Sequence, residues 1–93
     1  MTCLQGYVTA TFDELVELLG APDYDTPSFD EKVNTEWELT TAYGPVRTYD
    51  WKDYDGGATS RSGKPYRWHI GGNSQSAVDF VNNDLKLLAI RDY

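Results

Sequence analysis

Three segments of the chain alternate apolar and polar residues with the two-residue period of a β-strand. Residues 33–41 show this best, because Val, Thr, Trp and Leu fill the odd positions while Asn, Glu and Thr fill the even ones. Successive side chains of a strand point to opposite faces, so this segment is predicted to bury a mixed face and expose an acidic one. Residues 46–52 and 66–70 are predicted to form two further strands, the first joined to 33–41 by a hairpin turn at residues 43–45.

Two other segments repeat apolar residues at helical spacing. Thr11 and Glu14 have the spacing of a capping box at the start of the first helix, and Gly20 is expected to end it. The second helix is expected to begin with Ser74 or Ser76 as its cap. Its apolar stripe comprises Val78, Val81, Leu85 and Leu88, with Ala77 and Phe80 beside it.

The order of these elements restricts the fold. Residues 4–10 hold a β-branched and aromatic patch that predicts a short first strand, so the order is (β)-α-β-β-β-α. Two amphipathic helices bury their apolar stripes best on the same face of one antiparallel sheet. We therefore predict a single α+β domain over residues 1–93, with two helices on one face of a three- to four-stranded antiparallel sheet. The opposite face is left to solvent or to a partner.

The alternation also predicts which side chains occupy each face of the sheet. If Trp68 faces the helices, Arg67 and His69 must lie on the open face. Tyr49 and Trp51 share one face of the neighbouring strand, and we expect that face to be the buried one.

The net charge of −7 is distributed unevenly along the chain. Residues 1–45 carry nine acids and one base, a charge of −8, whereas residues 46–93 carry six acids and seven bases, a charge of +1. Affinity for duplex nucleic acid comes from Lys and Arg, so this composition argues against a direct duplex binder. The acidic half suits a protein partner with a basic surface. The acids predicted to make that contact are Asp23, Asp25, Asp30, Glu31, Glu36 and Glu38.

Several classes of protein are disfavoured by what the chain contains. A single cysteine, Cys3, leaves only a cross-link between two copies and fits a reducing cytosol. One Cys and one His are too few for a structural zinc site, and no cofactor is expected. No apolar run is long enough for a membrane span, and no secretory signal is visible. No nucleophile, base and orienting group can be named together, so no enzyme is predicted.

The glycine-rich junction before the second helix supports an alternative interpretation. A glycine turn that leads into a helix presents free N–H groups to an anion, although a plain turn has the same pattern. Cations and rings nearby would then hold a phosphate-bearing ligand stacked on an aromatic side chain. The residues of this predicted site are Arg47, Lys52, Arg67, His69, Gly71 and Gly72.

Four stretches of sequence together carry a resemblance to known proteins. They are Tyr-Asp-Trp-Lys at 49–52, Trp-His-Ile-Gly-Gly at 68–72, the helix start Thr-Phe-Asp-Glu-Leu at 11–15, and Trp37. In this combination the chain resembles a group of short accessory proteins encoded by bacteriophages and prophages, over most of residues 10–88. The resemblance implies a phage protein that acts in the cytoplasm of a bacterial host. Such proteins are often inhibitors of host factors, including nucleases of bacterial immunity, as anti-CRISPR proteins are.

These observations lead to three functional hypotheses. The first is a non-enzymatic phage protein that inhibits a host defence or nucleic-acid-handling protein, its acidic surface engaging a basic site. The second is a small-ligand binder that sequesters a nucleotide signal. The third is a self-associating structural or virion-associated domain, which forms a homo-oligomer through an open sheet face or edge.

Overall fold

A computed structural model describes residues 2–26, 32–52 and 58–92 of the chain. The described residues form one antiparallel sheet with strand order β2-β3-β4-β5-β1-β6, together with two helices. The α+β class is therefore confirmed, but the sheet has six strands instead of three or four. The elements are β1 (Cys3–Ala10), α1 (Phe12–Leu19), β2 (Tyr24–Asp25), β3 (Thr35–Thr41), β4 (Gly44–Tyr49), β5 (Tyr66–Gly72), α2 (Ser76–Asn83) and β6 (Leu88–Arg91).

The helix α2 is shorter than its sequence pattern predicts. It ends at Asn83, and the chain then forms β6 beside β1, so the prediction that Leu88 belongs to the helical stripe is wrong. The side chain of Asn82 fixes the turn from α2 into β6. It accepts a hydrogen bond from Ala89 N at 2.9 Å and donates one to Ala89 O at 3.0 Å. Leu88 consequently lies on an edge strand and is 69% exposed.

Both helices contribute to one apolar cluster, as expected for helices that share one face of a sheet. Leu15 of α1 and Val78 of α2 are buried in this cluster together with Trp37 and Trp68. Each indole N–H donates to a backbone carbonyl, Trp37 to Gly20 and Trp68 to Ala10, both at 2.9 Å. A buried indole needs such a partner, so the two tryptophans pack the core without leaving a polar group unpaired.

The two helix starts differ in how well the sequence predicts them. In α1 the capping box is confirmed, because Glu14 N donates to Thr11 Oγ1 at 3.1 Å and Thr11 N donates to Glu14 Oε1 at 2.8 Å. In α2 the cap position is Gln75, not the predicted serine, and Gln75 makes no side-chain capping bond. The Ser74 hydroxyl nevertheless accepts a bond from Ser76 N at 3.3 Å. The Gln75 amide instead donates to Gln5 O at 3.2 Å, which ties the helix start to β1.

The predicted glycine turn at Gly71 and Gly72 is also wrong, because both residues belong to β5. Gly71 pairs with Arg47 of β4, and Gly72 pairs with Val46. A Cβ added to Gly72 would lie 2.6 Å from the Cβ of Ala77, so the absence of a side chain allows α2 to approach the sheet closely. Close helix–strand packing explains this glycine without an anion-binding turn.

Asp50 determines where β4 ends. Its side chain is completely buried, and Oδ1 accepts bonds from Asn34 N at 2.8 Å and Thr35 N at 3.0 Å. The Ser60 hydroxyl donates to Oδ2 at 3.2 Å. This carboxylate therefore holds the start of β3, the end of β4 and the segment before β5 in one fixed arrangement.

Candidate functional site

One row of side chains crosses the open face of the sheet from edge to edge. Strand pairing places these residues directly opposite one another on neighbouring strands, so their side chains point to the same side. Four of the six carry rings, on a face that neither α1 nor α2 covers. In order across the sheet, they are Tyr24, Glu36, Tyr49, His69, Tyr7 and Ile90.

The prediction that Tyr49 and Trp51 face the helices is wrong, because Tyr49 lies in this row and Trp51 contacts it from the open side. The β4 side chains buried among the helices are Val46 and Thr48. Tyr49 is nevertheless only 9% exposed, since neighbouring rings cover it, whereas Trp51 is 39% exposed. The predicted position of His69 on the open face agrees with the structure.

Four side chains line an open hollow of about 180 Å³ on this face: Leu4, Tyr49, Trp51 and His69, here called the ring hollow. The Trp51 and His69 rings stack with centroids 5.6 Å apart and planes inclined by 27°. Tyr49 meets Trp51 edge-on at 6.3 Å and is tilted against His69 at 5.4 Å. The ring hollow is thus an aromatic surface held in fixed orientations, and one part of it, Trp51, remains open to solvent.

Four cations lie over the rings of this face. Three of them, Lys32, Lys52 and Arg67, are here called the cation rim, whereas the fourth, Arg47, is paired with Glu36. The two ammonium groups each lie 5.9 Å from the Trp51 centroid. The Arg67 guanidinium lies 3.7 Å from the centroid of Tyr7, whose ring packs edge-on against His69 at 5.1 Å. Within residues 2–26, 32–52 and 58–92, no carboxylate forms an ion pair with any member of the cation rim.

The structure therefore brings together some residues of the predicted ligand site and separates others. Lys52, Arg67 and His69 meet around the rings. Arg47 lies 5.1 Å from the Tyr49 centroid, but its guanidinium is engaged by Glu36 and by Thr2 Oγ1, to which it donates at 3.1 Å. The sequence did not indicate the roles of Leu4, Tyr7 and Lys32, because nothing in the local pattern places them beside β4 and β5.

The predicted acidic residues divide in a similar way. Asp23, Glu36 and Glu38, here called the acidic edge, line an open cavity of about 430 Å³ with Tyr24 and Val33 at the β2–β3 edge of the sheet. Asp23 Oδ2 accepts a bond from Glu38 N at 2.7 Å, which fixes the loop before β2 against β3.

The other predicted acids lie elsewhere. Asp25 forms an ion pair with Arg61, whose guanidinium lies 5.1 Å from the Phe12 ring of α1, on the helix side of the sheet. Asp30 and Glu31 fall outside the described residues.

Burial changes the protonation of two groups in the row. The pKa of His69 is lowered, mainly by burial and then by the charge of Arg67, with Asp92 acting in the opposite direction. The pKa of Glu36 is raised by burial, against the stabilising hydrogen bond from Arg47. At neutral pH His69 is therefore an uncharged ring that stacks on Trp51.

Acidification is expected to destabilise the protein through His69. Its folded-state pKa lies below the ordinary value of 6.5, so the unfolded chain binds more protons as the pH falls through and below 6.5. Glu36 has the opposite effect, because its folded-state pKa lies above the ordinary value of 4.5. Its contribution to the free energy of unfolding is complete below pH 4.5 and is lost as the pH rises through the folded-state pKa. Thermal unfolding at pH about 7.5 and about 5.5 should show a smaller loss of Tm in His69→Gln than in the unmodified chain. Equal losses in the two proteins would contradict this assignment.

Comparison with known proteins finds no matching family model, no matching curated protein and no matching solved structure. Neither of the two helices in the described part of the chain has the length and apolar character needed to cross a membrane. Among the same residues, no group of three or more His, Cys, Asp or Glu side chains is arranged to hold a metal ion.

Proposed function

We propose that this chain is a non-enzymatic, phage-encoded binding protein that inhibits a host defence or nucleic-acid-handling protein. In this proposal the acidic edge occupies a basic site on the partner, in the manner of anti-CRISPR proteins. The observation that carries it is the open cavity at the β2–β3 edge, where Asp23 and Glu38 flank Glu36, which is 6% exposed and paired with Arg47.

The charges of the acidic edge are held in a defined arrangement before any partner binds. Arg47 fixes the Glu36 carboxylate, and the Glu38 backbone fixes that of Asp23. A prearranged set of charges loses little side-chain entropy on binding, and charges of one sign raise the association rate with an oppositely charged surface. Tyr24, 40% exposed beside these acids, supplies the kind of aromatic anchor common at binding hot spots.

The test is capture of a partner from lysate of a bacterial host by two variants with the same change of charge. Asp23→Asn with Glu38→Gln removes two charges from the acidic edge, whereas Glu17→Gln with Asp84→Asn removes two exposed charges elsewhere. We expect the first variant to bind the captured protein at least about tenfold more weakly, and the second to bind it normally. Binding should also weaken as salt is added, because salt screens exposed charges.

Two outcomes count against the proposal. If both variants capture the partner equally well, the acidic edge is not the contact surface. If the unmodified chain retains its partner undiminished in high salt, opposite charges do not drive the association.

A further inference from the structure

We propose that the open face carries a second site, in which the ring hollow binds the base of a mononucleotide and the cation rim holds its phosphate. This inference uses Trp51, His69 and Lys52, none of which belongs to the acidic edge, so it does not depend on the proposed function. The two sites lie on different strands of one face.

The size and lining of the ring hollow restrict what it can accept. Its volume of about 180 Å³ is below the ~300–1,000 Å³ typical of pockets that enclose a whole drug-sized ligand. It therefore suits a single ring system, with the rest of the ligand outside. The lining is aromatic and aliphatic, and the exposed Trp51 ring offers the flat π surface on which nucleobases stack.

The charge around the ring hollow indicates that the ligand is an anion. Arg47, Arg61 and Arg91 each form an ion pair with a carboxylate, whereas the cation rim does so with none in the described part of the chain. Two of the rim cations flank the same Trp51 ring. A ligand with both an aromatic ring and a phosphate can stack on Trp51 and also contact the cations beside it.

The overall charge selects a short ligand over a polymer. Binding a nucleic-acid strand requires many phosphate contacts, and a net charge of −7 repels a long polyanion. One phosphate requires only the local positive charge of the cation rim. A mononucleotide is therefore favoured over single-stranded RNA or DNA.

Calorimetry of the full chain with adenosine and guanosine 5′-monophosphates tests the proposal. We expect a Kd below about 1 mM for at least one mononucleotide, and at least tenfold weaker binding of the parent nucleoside and of inorganic phosphate. A short single-stranded oligonucleotide should bind no more tightly than the mononucleotide. No binding of either mononucleotide, equal binding of phosphate alone, or tighter binding of the oligonucleotide would each overturn the proposal.

Two aromatic variants locate the binding site. Base–aromatic stacking is worth roughly 1–3 kcal/mol, so Trp51→Ala should raise the Kd roughly tenfold to a hundredfold. Tyr43→Ala is the matched control, since Tyr43 is 42% exposed but packs near Phe80 of α2 instead of beside the ring hollow. Equal effects of the two variants would exclude the ring hollow as the site.

A charge variant keeps the proposal testable if Trp51→Ala does not fold. Lys32 and Lys52 have exposed side chains, so Lys32→Gln with Lys52→Gln is expected to leave the fold intact. It should weaken mononucleotide binding at least severalfold while leaving nucleoside binding unchanged. Unchanged mononucleotide binding by this variant would show that the cation rim does not hold the phosphate.

Discussion

Replacing Trp68 by Ala is expected to lower the free energy of unfolding by about 3–5 kcal/mol. The side chain is 0% exposed, its ring lies 5.5 Å from that of Trp37, and its N–H donates to Ala10 O at 2.9 Å. The substitution leaves a large cavity and also removes the donor from a buried carbonyl. Small domains have total stabilities of roughly 5–15 kcal/mol, so urea denaturation should show a large shift of the midpoint.

Trp51→Ala provides the control for this prediction. Trp51 contacts Tyr49 and His69 on the open face but is 39% exposed, so its removal creates no closed cavity. We expect Trp51→Ala to lower the free energy of unfolding by about 1 kcal/mol or less, which is the size of the interaction between one pair of aromatic rings. Similar losses from Trp68→Ala and Trp51→Ala would mean that the assignment of the two faces of the sheet is incorrect.

Asp50→Ala is expected to cost about 3 kcal/mol or more, because each buried donor left without an acceptor costs about 1–3 kcal/mol. The substitution removes one acceptor from each of Asn34 N and Thr35 N and also one partner of the Ser60 hydroxyl. The measurement is again urea denaturation of the full chain.

Asp50→Asn separates hydrogen bonding from charge at this position. The amide oxygen can still accept from the two backbone N–H groups, and its NH₂ can donate to the Ser60 hydroxyl oxygen. We therefore expect Asn to be clearly less destabilising than Ala. If Ala is as stable as the unmodified chain, Asp50 does not fix the junction of β3 and β4.

Local chemistry was sufficient to predict part of the fold. The capping box of Thr11 and Glu14 depends on residues three positions apart, and it forms as expected. The alternation in β5 is unambiguous, since only one of its two faces is apolar, so Trp68 and His69 fall on the predicted sides. In both cases, the information that determines the structure is contained in a few consecutive residues.

Strand β4 shows why the rest could not be predicted. Val46 and Thr48 suit a buried face as well as Tyr49 and Trp51 do, so the alternation alone does not choose between them. The hydrogen bonds of Asp50 to residues 34 and 35 accompany the observed choice, and those partners are about fifteen positions away in the sequence. Local periodicity carries no information about such bonds.

The two missed strands have a related cause. β2 has only two residues, and its pairing with β3 leaves no alternation to detect. In β6, the spacing of Leu85 and Leu88 imitates a helix, whereas the bonds between Asn82 and Ala89 fix a strand. The ring hollow could not be predicted either, because Leu4 reaches it through the pairing of β1 with β5, which are distant in the sequence.

The position of β1 between β5 and β6 has a consequence for the order in which the native structure can be assembled. Residues 3–10 are synthesised before both of their partners, which lie in residues 66–91. Contacts so distant in the sequence require a large loop to close before they contribute any stability, which slows folding. A nascent chain that does not yet include residues 88–91 therefore cannot complete the sheet.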